Sequence, residues 1–153
     1  MARLSQEAPV PAVVVNANNI SALIPIRSLG RKGIPVTCVF GQGALGGYAP
    51  VVGSSRFVSE KYTFDESDYE GSLVSCLCHI GKSYGRKSVL FPTSDIDMIV
   101  VSANRDILQE YYHLLMPSHE LLSNLLSKDW FYPFAKARGI PIPRTFRIES
   151  KED

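Results

Sequence analysis

"PAVVVNANNISALIPIRSLGRKGIPVTCVF", residues 11–40, is the stretch on which the fold turns. Its opening, "PAVVVN" (11–16), is a continuous apolar run of strand length, the pattern of a strand covered on both faces. "ISALIPIRSLGRKG" (20–33) then sets Ile20, Leu23 and Ile24 at helical spacing. Arg27, Arg31 and Lys32 come late, where cations suit the helix dipole, and Gly33 is a natural stop. Pro25 loses one backbone bond unless the helix starts close before it. "IPVTCVF" (34–40) is a second buried strand. Strand, helix and strand in this order make a crossover unit, which places the two strands parallel.

The same alternation continues outward. "SRFVSEKY" (55–62) predicts a short third strand, and "SDYEGSLVSCLCHIGKSYG" (67–85) a helix with Leu73, Leu77 and Ile80 inward and Gly85 as its stop. "KSVLFPTS" (87–94) predicts a strand and "DIDMIVVSANRDILQEYY" (95–112) a helix. The expectation is an α/β domain over 11–116, a doubly wound, mostly parallel, Rossmann-like sheet, behind a flexible tail over 1–10. From Pro117 the pattern changes. "SHELLSNLLSKDWFYPFAKARG" (118–139) predicts one or two helices with no strand between, and "IPIPRTFRIES" (140–150) begins a strand-like run. Residues 117–153 are therefore expected to be a helical linker and the start of a second domain.

Composition narrows the function classes. A chain of 153 residues, 45% hydrophobic and 20% charged, suits one globular domain. A net charge of +1 and scattered basic residues argue against nucleic acid or an anionic membrane as partner. No apolar stretch approaches the roughly 20 residues of a membrane span. "MARLSQEAPVP" (1–11) has no apolar signal core. Cys38, Cys76 and Cys78 are an odd, sparse set, which predicts free thiols and a cytoplasmic location. "CLCH" (76–79) does not predict a metal site, because cysteines two apart on a helix point in different directions. His79, His113 and His119 all fall in helical or helix-flanking segments, without an evident Ser or Cys partner, so no catalytic residue is assigned. "WFYPF" (130–134) is aromatic but lacks a basic groove, so helix packing accounts for it better than base stacking.

Gly41, Gly43 and Gly46 in "GQGALGG" (41–47) match the dinucleotide spacing G-x-G-x-x-G. The third glycine of that fingerprint must open a helix, whereas here it leads to "GYAPVVGSS" (47–55), with a proline and no helical period. The motif also follows the second strand instead of the first. A glycine-rich surface loop is the expectation, with a lid over a ligand as the functional alternative.

In open α/β sheets ligands bind outside the carboxyl ends of the strands. Two turns stand there. In "NANNIS" (16–21), Asn18, Asn19 or Ser21 can cap the following helix, and the same amides could hold a carboxylate or phosphate. In "PTSDID" (92–97), Thr93 precedes Ser94 and Asp97, a capping pair, with Asp95 adding charge that the dipole favours. Two carboxylates repel phosphate and suit an ammonium or a hydroxyl donor. Asn18, Asn19, Ser21, Thr93, Ser94, Asp95 and Asp97 are the candidate substrate-binding residues.

Taken together, "VVVNANNISALIPIRSLGRKGIPVTCV" (13–39), "SRFVSEKY" (55–62), "VLFPTSDID" (89–97) and above all "SKDWFYPFAKARGIPIPRT" (127–145) resemble the N-terminal, pre-ATP-grasp domain of ATP-grasp carboxylate–amine ligases, of the carbamoyl-phosphate-synthase-like type. The last block is similar to the family's lead into its ATP-grasp domain: a lysine, an aromatic helix, then G-I-P-x-P-x-T. The resemblance implies ATP and Mg²⁺ in the intact enzyme, a carboxylate activated as an acyl phosphate, and an amine that attacks it. It makes Lys128 the matching nucleotide-binding position, with Ser127 where the family carries an acidic residue. The family's later lysine strands and metal-binding residues have no counterpart here. The chain alone is thus expected to be inactive and to need an ATP-grasp domain in cis or in trans. Its substrate would be a small carboxylate or amine, and a second copy of the chain is a further candidate partner. The alternative reading is a small-ligand-binding or regulatory module without catalysis.

Overall fold

The computed structural model describes residues 8–42 and 49–144. Five strands form one parallel sheet: β1 (Ala12–Val15), β2 (Val36–Gln42), β3 (Val58–Asp65), β4 (Ser88–Pro92) and β5 (Tyr112–His113), in the order β3-β2-β1-β4-β5. β1 is central, with Val14 opposite Cys38 of β2 and Phe91 of β4. Because side chains alternate across a strand, Val13 and Val15 enter one core and Val14 the other. The continuous apolar run of β1 is the signature of this two-sided cover.

On one face lie α3 (Tyr69–Tyr84), α4 (Asp95–Ala103) and α5 (Arg105–Leu108), which bury Leu73, Leu77, Ile80, Val101 and Leu108. α1 (Leu23–Gly30) and the short α2 (Ala49–Gly53) cover the other, with Ile26 and Val52 buried. α6 (His119–Leu126) packs on α4 and seats Leu122, and α7 (Lys128–Ala137) packs on α6. Trp130 stacks on Phe134 with ring centroids 4.4 Å apart, and Arg138 lies over Phe134, so the aromatic run does serve the helix.

Several expectations are corrected. α1 follows a 3-10 turn over Ile20–Ala22, and the change of winding shifts its inward face to Ala22, Leu23 and Ile26. Ile20 and Ile24 are exposed. Pro25 sits in the first turn of α1, where an N–H is not needed. β3 runs on to Asp65, because Phe64 is apolar and buried between exposed Thr63 and Asp65, a pattern suited to an edge strand. The helix expected over 95–112 breaks at Asn104, whose side-chain amide donates back to the Val100 carbonyl at 3.0 Å. Tyr112 then enters β5 because its ring is buried and its hydroxyl donates to the Leu77 carbonyl at 2.6 Å. His113 therefore stands in a strand. α2 was not expected either; burial of Val52 seats it. Residues 140–144 form no strand. The remainder of that expected strand, Gly43, Gly46 and Gly47 of the glycine loop, and residues 1–7 of the tail lie outside the described residues.

All three cysteines are free. Cys38 is buried and its thiol is pushed up to about 12 by burial, against a smaller pull from Lys61. Cys76 and Cys78 are only half-buried on α3, and burial raises both.

Candidate functional site

The chain leaves β1 toward β2 and β3 on one side, then crosses back through α3 to β4 on the other. This makes the carboxyl ends of β1 and β4 the switch point of the sheet, where open α/β folds place their ligands. Three turns meet there: residues 16–22, 65–70 and 92–97.

Asn16 ends β1 with φ 53°, the one non-glycine residue of positive φ among the described residues, a conformation that asparagine tolerates better than most. Its amide donates to the Tyr69 hydroxyl at 3.1 Å. Tyr69 donates in turn to Asp97 Oδ1 at 2.6 Å, and Ser94 donates to Asp97 Oδ2 at 2.6 Å. Thr93 Oγ1 donates to the carbonyls of Val15 and Asn16 at 2.8 and 3.1 Å, which stitches the end of β4 to that of β1. Burial, then the hydrogen bond to Asp97, raise the Tyr69 phenol well above its ordinary value, so it stays a proton donor.

The residues predicted from sequence take different places. Asp97 is 0% exposed, with both oxygens taken by Tyr69 and Ser94, while Ser94 Oγ also accepts from the Asp97 N–H at 3.3 Å as the cap of α4. Ser94, Thr93 and Asp97 thus shape the switch point from within. Asp95 is exposed at the start of α4. Asn19 caps the 3-10 turn by accepting from the Ser21 N–H at 3.1 Å, and Ser21 is half-buried beside it. Asn18 lies apart from both, over β2. Lys128 opens α7, is exposed, and does not belong to this network.

Asn18 Nδ2 donates to the Gly41 carbonyl at 3.0 Å and to Glu66 Oε1 at 3.4 Å. This orients the amide: a flip would turn its oxygen against two acceptors. Among the described residues, Asn18 Oδ1 is buried without a partner. A buried acceptor in that state costs about 1–3 kcal/mol. Glu66 lies so close over β2 that a Cβ on Gly41 would stand 1.9 Å from its Oε1. The space that a Cβ on Gly41 would take is filled by the Glu66 carboxylate.

Asn16, Glu66 and Tyr69 were not singled out from sequence. A left-handed asparagine and a tyrosine reaching across 28 residues to Asp97 leave no local pattern. The acidic turn "DESDYE" (65–70) was the available signal.

The three turns carry Asp65, Glu66, Asp68, Glu70, Asp95 and Asp97, and no lysine or arginine. Arg27, Arg31, Lys32, Lys82, Arg86 and Lys87 gather instead where α1 and α3 end, at the opposite edge. Helix dipoles favour this separation, since helices begin at the carboxyl edge and end at the amino edge. Chemically, the carboxyl edge offers acceptors and negative charge: it suits ammonium and hydroxyl groups and opposes phosphate. Among the described residues no group of His, Cys, Asp and Glu is placed to hold a metal ion.

One further pair needs correction. His119 Nδ1 lies 2.9 Å from Ser102 Oγ, a Ser–His contact that the sequence did not reveal. Ser102 is 3% exposed and its hydroxyl also donates to the Ile99 carbonyl at 3.0 Å, so the pair joins α4 to α6 and presents no nucleophile.

No protein-family model matches this chain, and no curated protein sequence does. Solved structures do. A biotin carboxylase domain of a single-chain bacterial carboxylase is similar over 86% of this chain and 30% of its own, at 16% identity and TM-score 0.52. The complete multifunctional pyruvate carboxylase from Rhizobium etli is similar over 90% of this chain and 13% of its own, at 15% identity and TM-score 0.56. The urea amidolyase of K. lactis is similar over 90% and 8%, at 17% identity and TM-score 0.53. The chain shares its fold with part of each of these structures and spans less than a third of their length.

Proposed function

We propose that this chain is the substrate-side wall of an ATP-dependent carboxylate–amine ligase of the ATP-grasp type, whose nucleotide-binding half belongs to further sequence or to a separate polypeptide. The observation that carries this reading is the chemistry of the carboxyl edge. A switch point lined by acceptors, on a fold shared with part of several carboxylases, suits a small substrate and not a triphosphate.

The described residues do not fit ATP and its Mg²⁺ ions, so no step through them is derived from this chain. Lys128, exposed at the head of α7, is the position proposed to reach the nucleotide from this side. Asn19, Ser21 and Asp95 stand at the rim and are proposed to meet the substrate, a small amine or carboxylate. Thr93, Ser94 and Asp97 hold the turns that carry them. A ligase cleft built this way keeps substrate and nucleotide on opposite walls, so that closing it brings the carboxylate to the phosphate only when both are bound. A cytoplasmic location is proposed from the three free cysteines, and no described helix is long and apolar enough to cross a membrane.

Calorimetric titration with Mg²⁺–ATP tests the division of labour. The chain alone should give no saturable heat into the millimolar range, and adding the partner half should restore binding and amine-dependent phosphate release. Micromolar affinity of the chain alone, abolished in Lys128→Ala, would refute the proposal.

A further inference from the structure

We propose that Asn18 Oδ1 and the Glu66 carboxylate form a recognition site for a protonated primary amine, seated over Gly41 at the carboxyl ends of β1 and β2. The inference rests on reading the carboxyl edge as the substrate wall, and goes past it in naming the anchoring residues and the charge of the group they take.

Three observations converge. Asn18 commits its donors to the Gly41 carbonyl and Glu66 Oε1, which leaves Oδ1 a buried acceptor without a donor among the described residues. Whatever completes this place must bring an N–H or O–H. Glu66 is half-buried, and no lysine or arginine pairs with it among the described residues, so the group that completes it gains by being positive. The room for that carboxylate exists because residue 41 lacks a side chain: a Cβ would meet Glu66 Oε1, Cδ and Cγ at 1.9, 2.6 and 2.7 Å. A primary ammonium satisfies both needs, with one N–H for the amide oxygen and its charge for the carboxylate. Asp65 and Asp68 on the same turn add to the negative field and offer no competing cation. A carboxylate substrate group would meet only acceptors here.

The test is a titration of the ¹⁵N-labelled full chain, at constant ionic strength, with methylammonium, tetramethylammonium and acetate as separate probes. Methylammonium should shift the Asn18 side-chain amide and the Gly41 and Glu66 backbone signals saturably. Tetramethylammonium, which carries the charge but no N–H, should shift them at least tenfold more weakly, and acetate should leave them in place. Glu66→Gln keeps the shape and should weaken methylammonium at least tenfold. Gly41→Ala, which displaces the carboxylate by another route, should do the same. Equal response to the two cations, or an undiminished response in Glu66→Gln, overturns the inference. If signals of the Thr93–Asp95 turn saturate while those of Asn18 and Gly41 stay still, this subsite falls and the substrate wall stands. Silence of every turn toward all three probes, as expected of a site filled by water alone, removes both.

Discussion

The Tyr69 hydroxyl donates to Asp97 Oδ1 at 2.6 Å, and this bond joins the head of α3 to the head of α4 across the end of β1. It spans the place where the chain reverses direction along the sheet. Asp97 is enclosed there, so the phenol supplies what water would supply outside. Asn16 leans on the same phenol, and its left-handed backbone is held by that contact.

Tyr69→Phe removes the donor and keeps the ring. It should lower the unfolding free energy by about 1–3 kcal/mol, the cost of leaving a buried acceptor unpaired. Urea unfolding should show an earlier midpoint at unchanged slope. A loss under about 0.5 kcal/mol, the range of ordinary surface changes, would mean the bond does not hold the switch point.

Ser94→Ala strips the cap of α4 and the second partner of Asp97 together. The expected loss is about 1–2 kcal/mol. Ser118→Ala, which removes a cap from the exposed start of α6 with no buried carboxylate behind it, should cost less in the same assay. The reverse order would contradict the role given to Asp97.

Gly81 lies inside α3, and a Cβ there would stand 2.4 Å from Tyr111 Cβ and 2.7 Å from its Cγ. Alanine gains up to about 1 kcal/mol in helix propensity. Overpacking against an atom that cannot swing away costs about 1–3 kcal/mol, and it should win. Thermal unfolding of Gly81→Ala should therefore fall below that of the parent chain.

Cys38, pushed up to about 12 by burial, should resist iodoacetamide in the native chain at about pH 8, where its thiolate fraction is of order 10⁻⁴. All three cysteines should react after unfolding. The folded value lies above the thiol's ordinary value of 9.0, so the neutral thiol stabilises the fold below pH 9 and that contribution fades as pH rises toward 12. Stability measured by urea should decline over this alkaline window, and Cys38→Ala should flatten the decline.

Much of the fold was legible. The apolar run of β1 announced a strand buried on both sides, and the helix over Tyr69–Tyr84 showed both its inward face and its stop at Gly85. Local periodicity carries such information because each side chain's burial repeats with the geometry of its own element. β5 was missed because two residues carry no period, and Tyr112 is held in the sheet by the distant Leu77 carbonyl. The capping pair Ser94–Asp97 could be read from spacing, but Asp97's second partner, Tyr69, could not.

By itself, then, the order of residues determined the parallel α/β architecture, the two turns at the strand ends and the acidic character of one of them, since period, caps and charge are all local. Only the tertiary structure decided that Tyr69 would hold Asp97, that Glu66 would lie on Gly41, and that Asn18 would keep one oxygen unpaired among the described residues. Those relationships join residues 23 to 48 positions apart: parallel pairing of β1, β2 and β3 brings Asn18, Gly41 and Glu66 to one edge, and the crossover of α3 brings Asp97 back beside Tyr69.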